Sequence, residues 1–192
     1  MGRSGRIWTF GVLSVFAALA TTPADARGLD FDEGRVRIEV AGACNLYSGK
    51  TDRDGDYYLT GSIEYETPVL ERLTLGLRFM PAFLYHEHRD KCEGASSETI
   101  YGAGLGVTAR VYQNKGDRDG LFGEAGAAAL WHSRYFERNT SRVNFVTEIG
   151  VGYKFPERNW HVGVKFQHAS NGGLASRNAG INGLALAVGY TF

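Results

Sequence analysis

From Arg35 to Phe192, apolar and polar residues alternate through eight successive segments, and the polar positions include many charges. Period two is the signature of an extended strand, whose neighbouring side chains point to opposite faces. In "RVRIEVAGAC" (35–44), Val36, Ile38 and Val40 share one face and Arg35, Arg37 and Glu39 the other. The same alternation recurs at about 57–66, 73–84, 99–112, 121–132, 143–155, 160–170 and 182–192. Pro81 interrupts the third segment and cannot donate to a ladder, so a bulge is expected there. A soluble sandwich would bury the apolar faces and solvate the polar ones. A membrane barrel turns the apolar faces to lipid and closes the polar ones inward.

Connection lengths and aromatic placement favour the barrel. "TPVLER" (67–72), "QNKGDRDG" (113–120) and "PERN" (156–159) are fairly short, whereas 45–56, 85–98, 133–142 and 171–181 are mostly longer and more polar. Short turns at one end and longer loops at the other are the outer-membrane pattern. Tyr153, Phe155, Trp160 and Tyr190 fall beside the short turns and Trp131 near a long loop, as interfacial girdles would. The expected fold is an all-β, eight-stranded antiparallel transmembrane barrel, a size whose interior side chains just fill.

The start of the chain reads as an export signal. Arg3 and Arg6 precede the apolar run Ile7–Ala20, and "ADA" (24–26) offers a small-residue cleavage site. Residues 1–26 are expected to be a signal peptide and 27–192 the barrel domain. Removing Arg3, Arg6 and Asp25 leaves 19 basic residues against 20 acidic ones, which argues against a nucleic-acid partner. Cys44 and Cys92 would reside in a compartment where a disulfide persists, so a bridge between them is expected, with two free thiols as the alternative.

The seventh segment carries the anomaly. Its even positions run Trp160, Val162, Val164, Phe166 and then His168 and Ser170. By register both polar side chains face lipid, where polar groups are costly. Asn182 shares the outward register of the eighth segment and falls next to His168 across an antiparallel pair. Ser beside His is the minimum for acyl transfer: the imidazole takes the hydroxyl proton and a third group fixes its tautomer. Asn171 and Asn178, in "NGGLASRNAG", flank the site and could donate amide hydrogens to an oxyanion. The bland reading is an interfacial polar cap bonded to headgroups or backbone.

"FQHASNGGLASRNAGINGLALAVGYTF" (166–192) resembles the C-terminal signature of the PagL-type lipid A 3-O-deacylases: H-x-S-N, a following Asn-x-Gly and a terminal aromatic strand. The resemblance implies an esterase in the bacterial outer membrane that removes the 3-O-linked acyl chain from lipid A. It implies Ser170 as nucleophile, His168 as base, Asn171 and Asn178 on the oxyanion side, and no metal or organic cofactor. The partner is lipid A in the outer leaflet, and a homo-oligomer is left open. One departure stands out. Fourteen residues after the His, where that family carries an acid, this chain has Asn182. An Asn carbonyl can hold the tautomer but brings no charge to the imidazolium. Glu124 and Glu148 fall in the inward register and are expected to pair there with Lys165, Arg78 or Arg110.

Other motifs rank lower. "DRDGD" (52–56) begins like a calcium loop but puts Ile63 where the bidentate Glu belongs. "HEH" (86–88) lacks a clear third ligand. His132 and His161 are expected in lumen or rim hydrogen bonds. Arg134, Arg138 and Arg142 gather in one loop and suit the phosphates of lipopolysaccharide. The competing function is a non-catalytic small barrel that adheres or supports through its loops.

Overall fold

The computed structural model describes residues 31–46, 53–88, 97–116 and 118–192; the expected signal peptide, Cys92 and part of two long loops lie outside them. Eight antiparallel strands close on one another in chain order: β1 (Arg35–Leu46), β2 (Tyr57–Pro68), β3 (Leu73–Glu87), β4 (Glu98–Tyr112), β5 (Gly120–His132), β6 (Val143–Lys154), β7 (Trp160–Ser170) and β8 (Ile181–Thr191). β1 pairs with both β2 and β8, so no edge is left open. The pairing shifts register between Gly61 and Ile63 and between Met80 and Phe83, which sets the expected bulge around Pro81.

The alternation resolves as polar inside and apolar outside. Leu77, Leu105, Val151 and Leu186 are all more than 60% exposed, and so many large apolar side chains form a wall that water would not tolerate. Trp160 packs edge-on against Tyr190, Tyr190 against Phe192, and Tyr153 against Phe155, at the end with the short turns. Cys44 is exposed on the outer wall; its expected partner lies outside the described residues.

The interior has two halves. Toward the short turns it holds charge. Arg110 reaches Glu64, Glu66 and Glu124, Arg78 reaches Glu64 and Glu148, and Lys165 reaches Glu39 and Glu124. Glu124 and Glu148 thus point inward and pair with the cations expected for them. Ions removed from water must be paired and hydrogen-bonded, and inside a closed barrel the inward side chains of the wall supply the partners. Toward the long loops the filling is apolar and aromatic: Tyr58, Met80, Phe83, Tyr85, Leu130 and Ile181 are buried. Phe136, from the loop after β5, drops into this half and stacks on His132 at 4.1 Å and edge-on against Tyr85 at 5.1 Å. That plug anchors the 133–142 loop over the mouth.

Candidate active site

β7 and β8 put the anomalous residues side by side. His168 lies directly opposite Asn182, and the outward apolar residues Phe166 and Leu184 lie opposite each other one pleat below. His168, Ser170 and Asn182 are each partly buried on the outer wall, at the end with the long loops. Nδ1 of His168 is 2.7 Å from Oδ1 of Asn182. A carbonyl oxygen only accepts, so Nδ1 carries the proton and Nε2 keeps its lone pair. Ser170, two residues on and on the same face, has its Cα about 6.6 Å away. Its hydroxyl makes no hydrogen bond among the described residues, so the Ser–His contact is open, as in many ligand-free sites.

The ring is also held from above. A Cβ on Gly180 would meet Cε1 of His168 at 2.8 Å, so only glycine lets the imidazole lie there. On the other side, Thr147 of β6 lies opposite His168, and Phe145 opposite Ser170. Thr147, His168 and Asn182 therefore form a polar row across three neighbouring strands, beside Ser170 and bordered by the outward apolar residues Phe145, Ile149, Phe166 and Leu184. Thr147 breaks the outward sequence Val143, Phe145, Ile149, Val151 in the same way that His168 breaks its own, and that signal is legible in the sequence.

The loop after β7 is pinned tightly. Gly172 and Gly173 both take positive φ, 64° and 84°, a turn that glycine makes without strain. The backbone N–H of Asn171 donates to Oδ1 of Asn178 at 2.8 Å. Nδ2 of Asn171 donates to the Arg177 carbonyl at 2.8 Å and to Oδ1 of Asn139 at 3.2 Å. Asn171 is fully buried, and both its amide hydrogens are spent. It braces the loop after β7. Asn178 is exposed, and its Nδ2 has no partner among the described residues.

Other candidates disperse. Arg134 pairs with Glu98 at 2.7 Å, Arg138 with Glu137 at 3.5 Å, and Arg142 lies over the Tyr135 ring, so the three arginines serve three different neighbours. Asp56, from "DRDGD", accepts from the Tyr85 hydroxyl and from the His88 N–H, and Arg53 lies 3.6 Å away. Burial outweighs these contacts and raises its carboxyl above the usual range. In "HEH", His86 stacks on Tyr57, and Glu87 turns inward to accept from the Glu137 N–H. His161 lies 3.2 Å from Glu39 in the lumen, and His132 lies at the rim against Asn144.

Comparison with known proteins identifies what the chain is similar to. The model of the family described as lipid A 3-O-deacylase (PagL) matches residues 57–191, a span that contains His168, Ser170 and Asn182. No curated protein sequence matches the chain. Among solved structures, the crystal structure of the outer membrane enzyme PagL aligns with a TM-score of 0.58 at 18% identity, over 80% of this chain and 98% of that one. Neisserial surface protein A aligns with a TM-score of 0.52 at 14% identity, over 83% of this chain and 97% of that one. At those identities the structures attest the barrel, and the family match attests the relationship. The chain is a β-barrel of the bacterial outer membrane and belongs to the lipid A 3-O-deacylase (PagL) family.

Proposed function

We propose that this barrel hydrolyses the 3-O-linked acyl ester of lipid A at the outer leaflet, with Ser170 as nucleophile. The observation that carries the reading is the 2.7 Å hydrogen bond from His168 to Asn182 on the lipid-facing wall, with Ser170 on the same face. A base with a fixed tautomer has no structural purpose there, because a polar row facing hydrocarbon weakens the barrel. A membrane lipid as substrate explains why the row faces outward.

Each step uses a group already described. Nε2 of His168 takes the Ser170 proton as Oγ attacks the ester carbonyl. The oxyanion that forms faces Nδ2 of Asn178, which Asn171 holds by fixing the other end of the same amide. Collapse expels the sugar oxygen, and the imidazolium returns its proton to it. Water then attacks the acyl-serine by the same route, releasing the fatty acid and restoring Ser170. Asn182 keeps Nδ1 protonated throughout but adds no charge to the imidazolium.

The test is the mass of lipid A extracted from a Gram-negative host expressing the wild type or Ser170→Ala. The wild type is expected to remove one hydroxyacyl chain and Ser170→Ala none. Unmodified lipid A with the wild type would defeat the deacylase reading, and removal by Ser170→Ala would defeat the nucleophile assignment. The adhesive or supporting barrel has no observation of its own in its favour.

A further inference from the structure

Five residues, from β5, the loop after it, β6 and the loop after β7, form one unbroken chain of hydrogen bonds that ends in the candidate catalytic loop. Nδ1 of His132 faces the Arg134 carbonyl, so it donates and Nε2 accepts. Nδ2 of Asn144 donates to that Nε2 at 2.5 Å. Oδ1 of Asn144 accepts from Nδ2 of Asn139 at 3.0 Å. Oδ1 of Asn139 accepts from Nδ2 of Asn171, whose backbone N–H holds Asn178. His132, Asn139, Asn144 and Asn171 are at most 2% exposed.

The direction of the chain is fixed by backbone groups. The Ser141 N–H donates to Oδ1 of Asn139 at 3.0 Å, and the Gly173 N–H to Oδ1 of Asn171 at 2.9 Å. Neither amide can flip without setting two donors or two acceptors against each other in a buried place. Asn139 is the junction. Its loop lies across the loop after β7: Asn139 bridges Asn178, the Thr140 N–H donates to the Arg177 carbonyl, and the Ala179 N–H to the Arg138 carbonyl. Phe136, three residues earlier, is seated in the plug.

We infer that Asn139 is a positioning residue for the reaction: through Asn171 it sets where the Asn178 amide stands relative to Ser170. The inference rests on the deacylase reading for its effect on rate, but the coupling itself is independent of any activity. Asn139 touches no substrate atom. It transmits the rigidity of the plugged mouth to a loop that otherwise lies on the surface.

The experiment compares Asn139→Ala and Asn139→Asp with the wild type in detergent micelles. Asp keeps the oxygen that accepts from Asn171 and Ser141 and, protonated in this buried place, still donates to Oδ1 of Asn144; Ala removes both groups. Hydrogen exchange at the Asn171 and Gly173 amides is read first, because it needs no substrate. Ala is expected to speed both by at least about tenfold, and Asp by clearly less. Deacylation is read second: kcat is expected to fall about 10- to 30-fold in Ala, with KM within about twofold, and to recover in part in Asp. Asn139→Ala combined with Asn178→Ala is expected to cost no more than Asn178→Ala alone. Unchanged exchange in Ala, equal effects of Ala and Asp, or multiplying losses in the double variant would each overturn the inference. If Ala does not fold, exchange in Asp alone decides: protection lost as fully as in a peptide would overturn it, and protection largely kept supports it. Inactive wild type with intact coupling would count against the deacylase reading alone.

Discussion

Asn182→Asp is the substitution whose effect follows most directly from the geometry. Asp is isosteric with Asn, so its carboxylate replaces the amide oxygen now 2.7 Å from Nδ1 of His168. Charge centres in such a pair lie about 4 Å apart, and at an effective dielectric of about 40, fitting a half-exposed wall, their attraction is about 2 kcal/mol. Screening trims that to about 1–2 kcal/mol of added stabilisation for the imidazolium that forms as Ser170 attacks. The expected result is a kcat about 5- to 30-fold above wild type. Asn182→Glu, the acid that the resemblance implies at this position, is expected to raise kcat in the same direction. The assay is release of fatty acid from lipid A by purified protein in micelles between pH 5 and 10. An unchanged rate in Asn182→Asp would refute the claim that Asn182 contacts the imidazole during chemistry.

Two further outcomes follow from the neighbours of the ring. Gly180→Ala puts a methyl 2.8 Å from Cε1 of His168, and the ring, as the free end of a side chain, yields before the backbone does. Activity is expected to fall by about 100-fold while the urea midpoint stays close to wild type. Thr147→Val removes an outward hydroxyl opposite His168, so the barrel is expected to gain up to about 1 kcal/mol in urea titration, while kcat/KM falls by about fivefold. A loss of both stability and activity would instead mark Thr147 as a packing residue.

The strands and their facing were legible because both faces of every segment carry information. When one face is apolar and the other charged, a slip of one residue would exchange them wholesale, so register is strongly specified. That is why the outward placement of His168, Ser170 and Asn182 is legible in the sequence. Thr147 carried the same signal in β6 and was equally readable. The partner of each lumen ion was not. Which of Glu64, Glu66 and Glu124 meets Arg110 depends on barrel stagger, and Glu64 reaches it across 46 residues of chain. Asn139 was least legible of all. Its role arises where two loops without periodicity meet, joined by backbone hydrogen bonds between 138–140 and 177–179 that no pattern in the sequence announces. Asn171 shows a related limit: its amide looked free to donate outward, but burial turns it to Asn139 and the Arg177 carbonyl.

The central claim is that the polar row on the lipid-facing wall cleaves an acyl ester through Ser170. The most direct measurement is the mass spectrum of lipid A from cells carrying the wild type beside cells carrying Ser170→Ala, with equal amounts of folded barrel in the outer membrane. The account predicts that the wild-type spectrum loses one hydroxyacyl unit and that the Ser170→Ala spectrum matches cells without the protein. Two identical spectra, whether both cleaved or both intact, would contradict it.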